Sequence, residues 1–173
     1  MSGYTSTVAA VKSAFVDLLR SAFAGMTVGG FDVHVAYAWT PSDGAPVAVY
    51  MTRPALEEGD RSTYPHRLLV PVMQPGAQPF DERYRIDLTV WAFLGDLDAD
   101  TTPSPDQAAE EALCEIAGVV LGVVAADGTP GVAGVEWAIP ADEGEAEVRV
   151  WQGGRVVTRV MPIEVVARLQ PAA

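Results

Sequence analysis

The residues of this chain whose types could do chemistry are few, and their spacing keeps them apart. Asp96, Asp98 and Asp100 alternate in a DLDAD segment, the way a calcium loop begins. Such a loop needs glycine at its sixth position and a bidentate glutamate at its twelfth. Those positions hold Thr101 and Gln107, so the segment reads as a solvated acidic loop. His34 and His66 stand far apart in the sequence with no H-x-E or HExxH context, which gives no metal-ligand spacing. Cys114 is the single cysteine; it permits no internal disulfide and no cysteine-built zinc site, and beside Ala112 and Leu113 it is expected to pack as a small hydrophobe. The acidic pairs Glu57-Glu58, Glu110-Glu111 and Asp142-Glu143 would serve as acid and base only if burial split their pKa values, and each falls in a turn or on a polar helix face. No serine sits in G-x-S-x-G, and no glycine run forms G-x-G-x-x-G or a P-loop. No catalytic residue, cofactor or metal is assigned.

The elements that would position any site can be read from periodicity. Val8, Val11, Phe15, Leu18, Leu19 and Ala22 recur at three- and four-residue steps and predict a helix over Thr5–Ala24, capped by Thr5 or Ser6, with Lys12, Asp17 and Arg20 facing water. Phe31, Val33, Val35 and Tyr37 alternate with polar or small residues, as in a half-buried strand, and a strand at Val47–Thr52 follows the turn Pro41-Ser42-Asp43-Gly44. Arg53–His66 has no period and is expected to be a long exposed loop. Arg67–Met73 reads as a short strand. Arg83–Phe93 reads as a long one, with Tyr84, Ile86, Leu88, Val90 and Ala92 on the core face and Arg83, Arg85, Asp87, Thr89 and Trp91 on the other.

Ser104-Pro105-Asp106-Gln107 opens a second helix with a capping box, its buried stripe being Ala109, Ala112, Leu113, Ile116 and Val120. Val132–Ile139 follows as a strand with Val135, Trp137 and Ile139 on one face. After an acidic turn at Asp142–Glu147, Glu147–Gln152 and Arg155–Leu169 form a hairpin through Gly153-Gly154. Pro162 places the last strand at an edge or a bulge. The expected fold is α+β: one domain over residues 1–173, a mostly antiparallel sheet of six or seven strands with two helices on one face.

Composition narrows the function classes. Eleven cations against 23 anions leave a net charge of −12, which disfavours general nucleic-acid binding. The first residues lack a basic signal region, and the longest apolar run, Ile116–Ala126, is shorter than the ~20 residues a bilayer span requires. What remains is interaction surface. Trp39, Trp91, Trp137 and Trp151 fall in or beside strands, and Trp91 shares the non-core face with Arg85 and Thr89. Arg85, Trp91 and Trp151, with Glu57, Glu58, Arg61 and Tyr64 of the long loop, are the candidate subunit or partner contacts.

The helix VAAVKSAFVDLLRSAF, the strand DERYRIDLTVWAF, the acidic loop with the helix PDQAAEEALCEIAGVV, and the closing RVVTRVMPIEVVARL resemble, in order and pattern, the tail terminator proteins of long-tailed phages of high-GC actinobacteria. The resemblance spans roughly residues 5–169; the Arg53–His66 loop and the acidic 142–147 turn match no pattern. It implies a non-enzymatic virion protein, made in the host cytoplasm, that closes into a homo-hexameric ring on the head-proximal end of the tail tube. The ring stops tube polymerisation and joins the tail to the head connector or stopper, while DNA passes through the lumen without specific binding. Another head–tail joining component, such as a stopper or tail-completion protein, fits the same pattern. A small cytosolic α+β enzyme or ligand-binding domain would need a pocket of convergent polar groups.

Overall fold

The computed structural model describes residues 5–39, 44–52, 67–71, 80–93, 104–141, 145–151 and 154–169. The elements are α1 (Val8–Ala22), β1 (Thr27–Val28), β2 (Phe31–Asp32), β3 (His34–Ala36), β4 (Val47–Tyr50), β5 (Arg67–Pro71), β6 (Phe80–Phe93), α2 (Pro105–Ala126), β7 (Val135–Pro140), β8 (Glu145–Trp151) and β9 (Gly154–Leu169). β1 and β2 form a small hairpin. The other strands make one sheet in the order β3-β4-β6-β9-β7, with β5 added to β6 and β8 to β9. Every pairing is antiparallel except β3 with β4. The architecture is α+β, with both helices on the inner face of the sheet. None of the helices is long and apolar enough to cross a membrane, among the described residues.

Periodicity explains the inner face. Val11, Phe15, Val16 and Leu19 of α1 and Ala109, Ala112, Leu113, Ile116, Ala117, Val120 and Val124 of α2 are buried against Tyr84, Ile86, Leu88, Val90 and Ala92 of β6 and Val157, Ile163, Val165 and Ala167 of β9. Ser104 caps α2, its hydroxyl accepting from Gln107 N–H at 3.3 Å. The Gln107 amide turns to Glu111 at 2.9 Å and leaves the expected capping box half made. Cys114, expected in the core, is exposed, because it lies one step off the stripe that Leu113 and Ile116 define.

The start of α1 adds a partner to the expected cap. Its N-cap is Thr7, whose own side chain makes no capping bond, while Ser6 Oγ, one of the two expected caps, accepts from Val8 N–H at 3.3 Å. Glu82 of β6 joins them from across the fold. Its carboxylate accepts from Thr7 N at 2.8 Å and Thr7 Oγ1 at 2.9 Å, and from Ser6 Oγ at 2.6 Å. The fully buried charge is thus compensated by donors at the positive end of a helix dipole. Lys12, expected in water, is 3% exposed, with Nζ 5.4 Å from the centre of the Tyr37 ring. The long stem fills apolar volume and the ammonium lies over an aromatic face.

β9 is central, contrary to the edge position that Pro162 suggested. It pairs with β6 from Val156 to Leu169; on its other side β8 pairs as far as Val160 and β7 begins at Ile163. Pro162 falls between them, and its carbonyl accepts from Ala141 N–H at 2.9 Å. In an extended strand a residue's N and O point the same way, so the missing donor faces this junction and the β6 ladder is intact. β7 carries a bulge between Val135 and Trp137. The extra residue shifts the alternation, so Val135 and Ala138 are buried while Trp137 and Ile139, expected with Val135, are turned outward.

Candidate functional site

The outer face of the sheet, opposite the helices, divides into two halves. Around the C-terminal half of β6, Ala48, Tyr50, Trp91 and Val156 form a second buried cluster, with Ala36, Trp39, Ala45 and Phe93 packed against it. Trp39 and Ala45 lie between β3 and β4 in the chain and pack over this half; Trp39 N–H donates to Thr52 Oγ1 at 3.4 Å. Trp91 is on the face where periodicity put it, but it is 2% exposed and has become a core residue of this second layer. The Arg85-Trp91 surface expected from the sequence therefore does not form as a continuous exposed patch.

The other half is open. Its rows follow from register: Trp137 of β7 lies opposite Val166 of β9, which lies opposite Arg83 of β6; Ile139 lies opposite Glu164, which lies opposite Arg85. Together with Tyr84 and Val165 these residues line a cleft of about 350 Å³, except for Ile139 beside it. Trp137 is 37% and Ile139 47% exposed. Arg85 Nε donates to Asp87 Oδ1 at 2.7 Å, and Arg83 and Glu164 are exposed. One end of the cleft is fixed by Arg168, which reaches Asp81 and Glu136, each at 3.2 Å, and so ties β6, β9 and β7 together. This is an apolar floor and aromatic wall inside a ring of charged groups.

Of the sequence candidates, Arg85 lies in this cleft. Trp151 closes the β8–β9 hairpin opposite Gly154, and its side chain lies outside the described residues, as do Glu57, Glu58, Arg61 and Tyr64 of the 53–66 segment, His66, and the DLDAD and 142–144 stretches. Trp137, Arg83 and Ile139 were not among the candidates. Strict alternation placed Trp137 with Val135. The signals against it were Gly134 and Pro140, residues that mark a bulged or edge strand.

Two titratable groups are displaced from their ordinary ranges. Burial lowers the Lys12 pKa, partly opposed by the negative charge of Asp87. Burial raises Tyr84 to about 12, with the Thr7 hydrogen bond opposing and the Glu82 charge adding to the rise; its hydroxyl is 3.0 Å from Thr7 Oγ1. Both belong to the packing of α1 on the sheet. His34 is exposed on β3, its ring edge-on to Tyr50 at 6.3 Å. No three His, Cys, Asp or Glu side chains come together in a metal-binding group among the described residues. The chemistry this arrangement offers is recognition: burial of Trp137 and Ile139, with charged groups to fix orientation. No protein-family model matches the chain, and no curated protein matches its sequence.

Proposed function

We propose that this chain is a structural virion protein, a tail terminator whose copies close into a hexameric ring on the head-proximal end of a phage tail tube, stopping its polymerisation and joining tail to head connector. The observation that carries the reading is the open half of the outer sheet face. Trp137 and Ile139 stand exposed beside a cleft bordered by Arg83, Arg85 and Glu164, the anatomy of a protein contact with aromatic anchors inside a polar rim. A ring contact joins two different patches on neighbouring subunits, and this cleft supplies one of them. The order of elements, with both helices on one face of a largely antiparallel sheet, agrees with the pattern on which the family resemblance rests. The net charge of −12 per subunit suits a lumen through which DNA passes, since like charges repel over a Debye length of ~8–10 Å.

The test is electron microscopy of the purified protein mixed with the tail tube protein from its own gene neighbourhood. Rings capping tubes of uniform length are expected. Uncapped tubes of uncontrolled length, with this protein free beside them, would reject the terminator role.

A further inference from the structure

The free edges of the sheet are not treated alike. At β3 the carbonyl of Val35 accepts the Arg20 Nε–H at 3.1 Å. At β7 the Ala138 N–H is taken by the Gly128 carbonyl, Glu136 sits in the bulge, and Pro140 has no N–H to offer. Side-chain capping, bulges, charges and prolines are the means by which proteins make an edge unfit for pairing. β8 holds no proline and pairs with β9 without a bulge; its charges, Glu145, Glu147 and Arg149, are of both signs. It pairs with β9 on one side and with no described strand on the other, and Val148 at its centre is 53% exposed.

The ladder tells which backbone groups are open. Because Pro162 O accepts from the β7 side, the even-numbered residues of β9 turn their backbone groups toward β7 and β8. Their opposites in β8 are Glu145, Glu147, Arg149 and Trp151. The N–H and C=O groups of Ala146, Val148 and Val150 therefore point to the open edge.

We propose that β8 pairs antiparallel with β8 of a second copy of this chain, across a twofold axis at Val148. In this register Val148 lies opposite itself, Ala146 opposite Val150, and Glu147 opposite Arg149 of the second copy, twice by symmetry. The backbone groups at 146, 148 and 150 then face their counterparts as an antiparallel ladder requires. The sequence selects the register. Sliding the copies by one step in the direction that centres the axis on residue 147 sets Glu147 opposite Glu147; sliding the other way sets Arg149 opposite Arg149. The 147-centred pairing also sets Glu145 opposite Arg149, but only the Val148-centred pairing among these places opposite charges across from each other without a like pair at its axis, and like charges directly opposite are destabilising. This contact is one patch meeting itself. It closes on a dimer and is separate from the two-patch contact that a ring requires.

Sedimentation velocity of the full chain, across a concentration series, tests it with three variants. The wild type is expected as a reversible dimer. Val148→Pro removes an N–H that points to the open edge and none in the β8–β9 ladder, so the chain is expected to stay folded by circular dichroism and sediment as a monomer. Glu147→Arg sets like charges opposite each other twice and should weaken the dimer by about tenfold or more, whereas Glu147→Arg combined with Arg149→Glu restores opposite charges and should return the dissociation constant close to wild type. A wild type that stays monomeric at high concentration, or a double swap that associates no better than the single one, would overturn the proposal, and the charge pair decides it even where Val148→Pro fails to fold. A hexamer unaffected by all three variants would also overturn it while leaving the terminator reading intact; tube capping reads that reading separately.

Discussion

Lys12 and Glu82 are two buried charges solved in different ways. Glu82 has donors at Ser6 and Thr7, so its burial is compensated by hydrogen bonds. Glu82→Gln keeps the shape but presents an amide N–H₂ to groups that donate; a loss of about 2–3 kcal/mol in urea unfolding is expected. Lys12 has an aromatic face and the charge of Asp87 in place of hydrogen-bonded partners of that kind. Its pKa is lowered, so the folded state loses the proton before the unfolded state does. Stability from this group is smallest while both states are protonated and rises with pH across the window below 10.5. Lys12→Met should therefore stabilise the protein at neutral pH, by on the order of 1 kcal/mol, with the gain shrinking as pH approaches 10.5. Tyr84 acts with the opposite sign. Its raised pKa, about 12, means that the unfolded chain ionises first, so stability falls between about pH 10 and pH 12. Tyr84→Phe should remove that fall, and unfolding curves across this range check both signs.

At the scale of elements, periodicity read the inner face well because burial there is one-sided and continuous. The stripe of α2 and the Tyr84–Ala92 alternation come out as predicted; that of α1 does so at Val11, Phe15 and Leu19, while Lys12 and Val16 are buried beside it and Ala22 is exposed. What it missed depends on tertiary partners. Nothing local shows that Glu82 caps a helix more than seventy residues earlier in the chain, that Trp39 and Ala45 pack against the cluster around Trp91, or that a bulge turns Trp137 outward. Pro162 misled because a proline in a central strand needs a junction between two neighbours, which no single strand's sequence displays. The consequence for Trp91 is testable. Burial in the second cluster predicts that Trp91→Arg costs at least about 3 kcal/mol, from lost packing and an unpaired buried charge, measured as an unfolding midpoint shift. Gly134 marks the same β7 region. It has φ +85°, and a Cβ there would meet Arg168 O at 2.9 Å, so the bulged entry to β7 depends on this glycine's freedom.

For the whole molecule, the two halves of the outer face should separate stability from assembly. Trp91 lies in the closed half and holds the fold; Trp137 lies in the open half, where it is already 37% exposed. Trp137→Ala should leave the thermal midpoint within a few degrees of wild type. Truncating an aromatic anchor in a contact costs about 2 kcal/mol or more, roughly thirtyfold in affinity at each site. A closed hexamer repeats its contact at every junction, so the same truncation is felt six times and the assembled ring should collapse steeply. Tubes grown with the Trp137→Ala protein are then expected to lose their uniform length, while Arg83→Ala, at the polar rim, should shift capping only modestly and more at low salt than at high. If Trp137→Ala caps tubes as well as wild type, the cleft is not the contact that closes the ring. A partner on the head side would be its next occupant to test.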